Sequence, residues 1–527
     1  MNKLLIHKPS RSILLNGYVE EVLNAIPRSK KILVGGREVT AVYHGIDEVN
    51  WFRSNGYENV PTPIETYYEW PLVKSKFEAF EHQKITAGFI TLNKKCFIFS
   101  EMGTGKTESI LYAIDNLMKE GKVKRALLVS PLSTLTKVWA DALFHTFYWR
   151  TFAVLHGTAA KRKELLSQDT NFFIINYDGL KVIKDDLLRR PDINMIAYDE
   201  ASCLRTGDTK LYEAVKTLAL PDTRLVLATA TPTPNGPEGA WSLAKLVNPE
   251  GVPRYFGAWR RSTMNQISPF KWQPKKESFE LVNRALQPAI LFRRDECLDL
   301  PENTIQRREC ELSPEQMRLF KDMRKEMALE MQSGITINAV NAADKMTKLL
   351  QIASGSIKNA ETEDYHDIEC SSRIKALLEV IEESTKKVIV FCDYTGPLRM
   401  IVKELKKNKI NAAFVDGSVG QNERNEIFDR FETGTDLKVL VANSRTVSHG
   451  LTLVSATTAV WWVATHSLER FTQANMRINR PGQTHKTTTV LLGSTQLEWQ
   501  IFDKLEERNE NMNNALDLYK SFVESKL

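Results

Sequence analysis

The sequence predicts an α/β protein made of two parallel-sheet lobes joined by a helical bridge, with a small N-terminal α/β domain. Two observations lead to this prediction. Short, nearly continuous apolar runs alternate with polar or amphipathic stretches over residues 73–290 and again over 371–527. Such runs are typical of parallel strands that helices cover on both faces. Residues 291–370 lack this alternation and contain charged stretches of helical period, which predict the bridge.

Residues 1–72 are predicted to fold as the separate N-terminal domain. The elements expected here are, in order, strands at 3–7 and 12–15, a helix at 18–26, a hairpin at 31–44 and a helix at 46–54. The hairpin is expected to turn at Gly35-Gly36, and Pro61 and Pro63 favour an extended connector to the next domain. Two roles remain open for this domain: it covers the first lobe as a lid, or it guides a substrate and binds a partner protein.

The strand candidates of the two lobes follow from the apolar runs. In the first lobe they are Cys96–Ser100, Ala126–Ser130, Phe152–Leu155, Phe172–Ile175, Met195–Tyr198 and Leu225–Ala228. In the second lobe they are Val388–Cys392, Ala412–Val415, Val439–Ala442, Ala459–Val463 and Thr488–Leu492. Helices are expected over Pro314–Gln332 and Asn338–Ala353 in the bridge and over Leu497–Leu527 at the end.

The composition excludes several classes of protein. No apolar run approaches the roughly 18 residues of a membrane span, so no membrane association is expected. The six cysteines are scattered without a metal-ligand spacing, which argues against zinc and for a reducing, cytoplasmic compartment. The net charge of +6 permits nucleic-acid binding without requiring it, because a local basic surface does not show in the total.

A glycine-bearing loop between a short apolar strand and a helix-compatible stretch lies at the centre of the first lobe. The run Phe97–Thr107 reads Phe-Ile-Phe-Ser-Glu-Met-Gly-Thr-Gly-Lys-Thr. Gly103 and Gly105 allow the backbone amides to approach an anion, and the helix N-terminus favours negative charge. Lys106 is placed to contact nucleotide phosphates, and the hydroxyl of Thr107 is placed to bind Mg²⁺. The sequence therefore predicts a site for nucleotide phosphates and Mg²⁺.

An acidic pair follows the strand candidate Met195–Tyr198. Ligands of open α/β sheets lie at the carboxyl ends of strands, so Asp199 is expected to bind Mg²⁺ and Glu200 to orient and deprotonate a water. Neither pattern is decisive alone. Glu101 replaces the usual first glycine of the phosphate loop, which leaves an ordinary glycine turn possible, and Asp-Glu pairs are common in loops. Their order within one sheet makes the combination specific.

A polar triad occurs near the end of the second lobe. Gln473, Arg477 and Arg480 are spaced i, i+4 and i+7, which predicts one face of a helix that Pro481-Gly482 terminates. A solvated basic face is the alternative. If a cleft brings the second lobe to the nucleotide, the two arginines can stabilise the charge that builds on a transferring phosphoryl group.

Several motifs in order resemble those of superfamily 2 helicases and ATPases, most closely the SNF2-like (Swi2/Snf2) group. Besides the loop and the acidic pair they are Phe80–Gln83, Leu128–Pro131, Thr229–Pro232, Trp241–Leu243, Phe292–Arg294, Gly450–Leu453 and Gln473–Gln483. The resemblance covers about residues 77–483 and implies two RecA-like lobes. It departs from the family pattern at Ser202, where His is common, and at Ser448-His449.

The resemblance also implies roles for individual residues. Gln83 would read the adenine base. Gly103, Thr104 and Gly105 of the loop would bind the nucleotide together with Lys106 and Thr107. Nucleic acid would be contacted by residues of two motifs, which are Ser130, Pro131, Gly450 and Thr452. Gln473 would join the two arginines at the catalytic centre. The short length resembles the compact bacterial or phage forms, which would act in the cytoplasm of a bacterium or infected host.

The leading hypothesis is therefore an ATP-dependent translocase on duplex or branched DNA, acting as a monomer with a nucleotide in an interlobe cleft. One rival is a strand-separating or RNA-directed helicase of the same superfamily. Another is a nucleotide-gated scaffold that binds DNA without turnover. Two further stretches, Tyr255–Arg261 and Phe270–Lys276, interleave Trp259 and Trp272 with basic residues. This mixture suits DNA contact, and a surface protrusion with half-buried tryptophans is the alternative.

Overall fold

A computed structural model of the chain describes residues 4–57, 60–73, 77–230, 232–233, 236–268, 271–297, 300–332, 339–358, 364–447 and 453–507. The described residues divide into two compact units, the first comprising residues 4–297 and the second residues 300–507. Within the described residues, no helix is both long enough and apolar enough to cross a bilayer.

The N-terminal part of the first unit is a four-stranded antiparallel sheet with two helices. Its elements are β1 Leu4–His7, β2 Ser12–Asn16, α1 Glu20–Ala25, β3 Ser29–Val34, β4 Arg37–Tyr43 and α2 Ile46–Ser54, with strand order β1-β2-β4-β3. Ile13 and Leu15 of the sheet pack against Val22, Val49 and Phe52 of the helices, and all five are fully buried. The small α/β fold predicted for this region is confirmed.

Polar contacts attach this N-terminal sheet to the rest of the first unit. Arg11 forms an ion pair of 2.6 Å with Glu120, and Lys122 forms one of 2.7 Å with Asp47. The buried imidazole of His44 bonds to the hydroxyl of Tyr67 at 2.9 Å and to the carbonyl of Pro61 at 2.8 Å. The N-terminal domain is therefore attached to the rest of the first unit both by these ion pairs and by the hydrogen bonds of His44 to the connector and to Tyr67.

The centre of the first unit is a seven-stranded parallel sheet. Its strands are β5 Lys95–Ile98, β6 Arg125–Ser130, β7 Phe152–Val154, β8 Phe172–Asn176, β9 Ile193–Tyr198, β10 Arg224–Ala228 and, after the hairpin β11 Met264–Ser268 and β12 Lys271–Pro274, β13 Ala289–Ile290. The strand order is β13-β5-β10-β9-β6-β8-β7, with every pairing parallel. All six strands predicted for the first lobe are confirmed.

Helices lie around this sheet. They are α3 Pro63–Tyr67, α4 Glu81–Leu92, α5 Lys106–Lys119, α6 Asp141–Thr146, α7 Ala159–Leu166, α8 Tyr177–Val182, α9 Lys184–Leu188, α10 Lys210–Leu218, α11 Glu238–Val247, α12 Phe256–Thr263, α13 Ser278–Ala285 and α14 Arg294–Cys297. The central helix α5 buries its apolar face, including Ile110, Tyr112 and Ile114, in the core beside β5 and β6.

The second unit contains a six-stranded parallel sheet. Its strands are β14 Asn303–Glu309, β17 Lys387–Phe391, β18 Ala412–Val415, β19 Val439–Ala442, β20 Ala456–Trp461 and β21 Thr487–Gly493, with a separate hairpin of β15 Ser356–Lys358 and β16 Tyr365–Asp367. The order is β14-β21-β20-β17-β19-β18. The five predicted strands are confirmed, whereas β14 was not predicted because it is a polar edge strand with mostly exposed residues. The domain boundaries at 291–370 remain a prediction.

The helices of the second unit include both long helices predicted for the bridge. They are α15 Pro314–Gln332, α16 Ala339–Ala353, α17 Ser371–Glu383, α18 Thr395–Lys407, α19 Gln421–Thr433, α20 Ser444–Val447 and α21 Leu468–Asn475. Residues 496–507 are also helical, and the rest of the predicted terminal helices lies outside the described residues. Two parallel sheets covered by helices, with a small N-terminal α/β domain, confirm the predicted fold class.

A buried ion pair joins α17 to the C-terminal part of this unit. The guanidinium of Arg373 lies 2.9 Å from the carboxylate of Glu498, and both side chains are essentially inaccessible to solvent. Arg373 also donates to the hydroxyl of Ser494 at 2.7 Å and to the carbonyl of Trp462. These partners satisfy two charges that burial alone would make costly.

Candidate active site

The predicted nucleotide loop leaves the carboxyl end of β5 and enters α5. Gly103 and Gly105 adopt left-handed backbone conformations with φ of 84° and 74°, which residues with a Cβ adopt at a cost. Gly105 is the N-cap of α5. The hydroxyl of Thr104 donates to the carbonyl of Glu101 at 2.8 Å and braces the turn. The loop thus leads directly into the N-terminus of a 14-residue helix.

Lys106 is the first residue of α5, and its ammonium group lies over this loop. It donates to the carbonyl of Ser100 at 2.9 Å and to that of Glu101 at 3.0 Å. Thr107 follows as the second helical residue. Backbone amides at a helix N-terminus, a lysine ammonium and a hydroxyl are the donor set that binds nucleotide phosphates and their metal ion.

Glu101 replaces the usual first glycine, and the structure accounts for this substitution. Its backbone amide donates to the carbonyl of Phe292 at 3.0 Å, and its carboxylate accepts from the backbone amide of Arg294 at 3.1 Å. Its carboxylate is also 3.9 Å from the guanidinium of Arg294, and burial lowers the pKa of that guanidinium. The glutamate therefore joins the nucleotide loop to the segment after β13.

Helix α4 supports the loop from its N-terminal end. The side chain of Gln83 is buried; its carbonyl oxygen accepts from the backbone amide of Phe80 at 2.9 Å, and its amide donates to the carbonyl of Gly105 at 3.4 Å. The structure thus brings Gln83 to the loop. Its role as the reader of adenine remains a prediction.

His82 is a neighbour of the loop that sequence reasoning missed. Its Nε2 donates to the carbonyl of Thr104 at 2.7 Å, and its ring stacks on Phe80 at 5.6 Å between centroids. Burial lowers the pKa of His82, which favours the neutral, donating imidazole. The residue lay within the Phe80–Gln83 run, but that run alone did not distinguish a loop contact from packing.

The acidic pair lies at the carboxyl end of β9. The indole nitrogen of Trp139 donates to Oδ2 of Asp199 at 3.2 Å, and the hydroxyl of Tyr177 donates to the Asp199 carbonyl at 2.6 Å. Burial raises the pKa of Tyr177 well above its usual value, so its proton stays available for this bond. Glu200 has a left-handed backbone with φ 53° and ψ 50°. Sequence reasoning did not identify Tyr177 as a neighbour of this pair.

The loop and the acidic pair lie on the same edge of the sheet. Strand β10 pairs with β5 on one side and β9 on the other, so two strand spacings, about 10 Å, separate the ends of β5 and β9. Thr229, directly after β10, donates its amide to the carbonyl of Ile98 at 3.0 Å. A triphosphate on the loop with a metal ion bound by oxygen atoms fits this distance, and the hydroxyl of Thr107 and the carboxylate of Asp199 are hard ligands of the kind that Mg²⁺ prefers.

The second unit places the predicted triad differently from expectation. Gln473 is buried on α21, where its amide donates to Glu469 at 3.4 Å. The helix ends at Asn475, so the prediction that Arg477 and Arg480 continue the same helix is wrong. The Arg477 carbonyl accepts from Leu453 at 3.0 Å, and this bond to another segment accompanies the early end of the helix. Arg477 is buried and Arg480 is half-buried.

The predicted nucleic-acid residues are only partly within the described structure. Ser130 is fully buried at the end of β6, and Pro131, the next residue, is half-buried. Gly450 and Thr452 lie outside the described residues, as does His449. Contacts of these residues with DNA remain predictions.

One edge of the first sheet carries a glycine-turned loop, a lysine and an acidic pair. The same chain contains a second parallel sheet, and this combination is that of a two-lobed P-loop ATPase. The family model of the SNF2-related domain matches residues 44–361, and that of the helicase conserved C-terminal domain matches residues 372–482. The first match covers more than half of the chain, which therefore belongs to the SNF2-related family of helicase-like ATPases. The resemblance seen in the motifs is confirmed.

Similar proteins come from bacteria, a phage and eukaryotes. An uncharacterized ATP-dependent helicase of Mycoplasma genitalium is 23% identical over 430 residues, 79% of this chain and 40% of that protein. Putative protein p41 of Acyrthosiphon pisum secondary endosymbiont phage 1 is 27% identical over 333 residues, 60% of this chain and 72% of that protein. Human TATA-binding protein-associated factor 172 is 24% identical over 73% of this chain and 25% of that protein. The chain thus spans less than half the length of the Mycoplasma and human relatives.

Among solved structures, the Sulfolobus solfataricus SWI2/SNF2 ATPase core in complex with dsDNA is similar to this chain. It is 21% identical, with a TM-score of 0.41, and the match covers 85% of this chain and 94% of that one.

Proposed function

We propose that this protein hydrolyses ATP with Mg²⁺ and uses the energy to move along duplex DNA. One observation carries the proposal: the phosphate loop with Lys106 and the pair Asp199-Glu200 occupy one edge of a parallel sheet in a chain of the SNF2-related family. This edge supplies a phosphate cradle, a metal ligand and a general base within about two strand spacings.

Each residue of the edge has a distinct role in this proposal. The amides around Gly103, Thr104 and Gly105 bind the phosphates, and Lys106 exchanges its two carbonyl partners for phosphate oxygens. Thr107 and Asp199 would hold Mg²⁺, which would neutralise phosphate charge. Glu200 orients the attacking water and accepts its proton.

Trp139 and Tyr177 are positioning residues for the acidic pair. The bond from Trp139 to the Asp199 carboxylate fixes one oxygen and leaves the other near the backbone amide of Glu200, 3.1 Å away. The bond from Tyr177 fixes the Asp199 carbonyl, which begins the turn into the left-handed Glu200. Loss of either bond would reorient the carboxylate of Asp199, the proposed Mg²⁺ ligand, and would disturb the rest of the fold less.

Gln473, Arg477 and Arg480 complete the catalytic centre in this proposal. Arginine charge stabilises the oxygens of a transferring phosphoryl group, where charge builds in the transition state. The burial of Arg477 supports this role, because water screens buried charges less than exposed ones.

DNA would be contacted chiefly through its phosphates. Ser130 and Thr452 would supply hydroxyl donors and Gly450 an amide donor to the DNA backbone, and the ring of Pro131 would pack against it; the backbone carries no direct sequence information. Binding should therefore depend strongly on salt and weakly on sequence.

The N-terminal domain would tune the choice of DNA structure or hold a partner protein. Its ion pairs reach Glu120 and Lys122, just past the C-terminal end of α5. Lys106 begins the same helix, and 14 residues of helix rise about 21 Å. Attachment at the far end of α5 from the loop argues against a cover over the nucleotide and is compatible both with a lid over the first lobe and with a role in substrate choice.

The test is ATP turnover without nucleic acid and with single-stranded DNA, blunt duplex DNA, forked DNA or RNA. We expect stimulation by duplex DNA, and loss of turnover in Lys106→Ala because the phosphate site loses its cation. Displacement of the third strand of a triplex then reports movement without duplex opening.

Two results would replace the proposal. Efficient unwinding of tailed duplexes with no stimulation by blunt duplex DNA would identify a strand-separating helicase. ATP binding without turnover under every condition would identify a nucleotide-gated scaffold.

A further inference from the structure

Residues 254–276 of the first unit, of which 254–268 and 271–276 are described, form a segment that we call the basic protrusion. It consists of α12 and the hairpin β11–β12. The segment contains six basic residues and no aspartate or glutamate; the basic residues are Arg254, Arg260, Arg261, Lys271, Lys275 and Lys276. Since charged residues of both signs normally mix on a protein surface, an uninterrupted positive stretch of this length points to a polyanionic partner.

The base of the protrusion is fixed to the first unit. Trp259 is buried, and its indole donates to the carbonyl of Pro237 at 3.0 Å, directly before α11. The backbone amide of Lys275 donates to the carbonyl of Thr263 at 2.9 Å, and its ammonium donates to the carbonyl of Arg261 at 2.6 Å. Trp259 is therefore a core residue and cannot stack on a base, and the hairpin is anchored to the end of α12.

A second group of side chains holds the hairpin against α12. The guanidinium of Arg260 pairs with Glu238 at 2.6 Å and lies 4.4 Å from the ring centroid of Trp272. A cation over the ring covers one face of that indole. Arg260 and Trp272 thus stabilise the protrusion, and base stacking on Trp272 would have to displace the arginine from that face.

Three cations remain at the surface of this rigid support. Arg254, Arg261 and Lys276 are exposed, and none of them forms an ion pair with a residue that the structure describes. The next carboxylate along the chain is Glu277, outside the segment. Arg254 lies 5.4 Å from the ring centroid of Tyr255. Exposed cations outside ion pairs are suited to phosphate contact, because each can neutralise a phosphate without losing an existing ion pair.

We infer that the protrusion is a second DNA-contacting surface, on which Arg254, Arg261 and Lys276 bind backbone phosphates of the duplex. This inference rests on the proposed function, since duplex DNA is the polyanion on which the protein is proposed to move. The contact reads charge and not sequence, because the three cations bind backbone phosphates and phosphate contacts carry no direct sequence information.

The experiment compares wild type with the triple variant Arg254→Ala, Arg261→Ala, Lys276→Ala. The control is Lys124→Ala, Lys403→Ala, Lys406→Ala, which removes the same charge from three exposed lysines elsewhere. Fluorescence anisotropy of a labelled blunt duplex gives the dissociation constant at salt concentrations between about 50 and 200 mM. The slope of the logarithm of this constant against the logarithm of salt concentration should be smaller in the triple variant by up to about 2.7, at about 0.9 per lost phosphate contact.

We expect the triple variant to bind about 10- to 100-fold more weakly near physiological salt, with unchanged melting temperature and unchanged turnover without DNA. The control should keep the slope of wild type. If wild type binds duplex DNA with a steep salt slope and the triple variant matches it, the protrusion does not bind DNA and the proposed function stands. If wild type itself shows no salt-dependent duplex binding, both ideas fail. Loss of polyglutamate binding with intact DNA binding would assign the surface to an acidic protein segment and overturn the inference.

Discussion

Replacing Gly105 with alanine should weaken both the nucleotide loop and the first unit. The left-handed φ of 74° costs a residue with a Cβ about 1–2 kcal/mol. The new Cβ would lie 1.8 Å from Nε2 of Gln83, so this amide must move away. Gln83 then loses its bonds to Gly105 and Phe80, each worth about 0.5–1.5 kcal/mol. Gly105→Ala should therefore lower the free energy of unfolding by about 2–5 kcal/mol.

A matched variant separates the two contributions. Gly121 follows α5 with a φ of 68°, and its added Cβ would meet nothing within 4 Å, so Gly121→Ala should cost only the backbone term of about 1–2 kcal/mol. Urea denaturation and equilibrium binding of a fluorescent ATP analogue measure stability and loop function. Only Gly105→Ala should weaken nucleotide binding.

A double-mutant cycle then tests the role of Gln83. In a Gln83→Ala background the bonds are already lost, so Gly105→Ala should cost about 1–3 kcal/mol less than in wild type. Strictly additive free energies, or equal effects of alanine at positions 105 and 121, would refute the reasoning that the loop and Gln83 act together.

The remaining predictions concern the acidic pair, the arginines and the buried ion pair. Glu200→Gln should keep ATP binding but reduce single-turnover hydrolysis by about 10²–10⁴-fold, as loss of a general base does; near-normal hydrolysis would reject this role. Arg477→Ala and Arg480→Ala should each reduce turnover by about 10³–10⁵-fold with a smaller loss of ATP affinity. A loss of ATP affinity as large as the loss of turnover would indicate that the arginine only binds the nucleotide. Arg373→Met should lower the free energy of unfolding by about 3–5 kcal/mol because it leaves the Glu498 carboxylate buried without its partner, and adding Glu498→Leu should restore most of the loss in a chemical denaturation series.

The strands of both sheets could be predicted because their information is local. Runs such as Phe172–Asn176 are apolar at nearly every position, which suits a strand covered on both faces. Strand β14 was missed for the opposite reason: its residues are polar, and only pairing with β21 makes it a strand. The end of helix α21 at Asn475 was likewise not predicted. Beyond this end, the carbonyl of Arg477 accepts from the backbone amide of Leu453, which is distant in sequence.

The candidate site divides in a similar way. The glycine-lysine loop and the acidic pair are each made of consecutive residues, so the sequence alone could predict them as candidates. The supporting contacts of His82, Trp139 and Tyr177 join segments separated by 22 to 60 residues. A histidine, a tryptophan and a tyrosine within apolar surroundings have no local pattern that distinguishes a bond to the site from ordinary packing.

The left-handed backbone of Glu200 has a consequence for how this protein can be improved in the laboratory. Glycine at this position would release about 1–2 kcal/mol of conformational strain, yet it would remove the carboxylate. A library sorted only by resistance to heat should accumulate glycine here, whereas a library sorted by turnover should discard it. Opposite enrichment of glycine at codon 200 in the two libraries would show that thermal stability and activity compete at this position. Sequencing of the sorted libraries would measure this enrichment without purification of any variant.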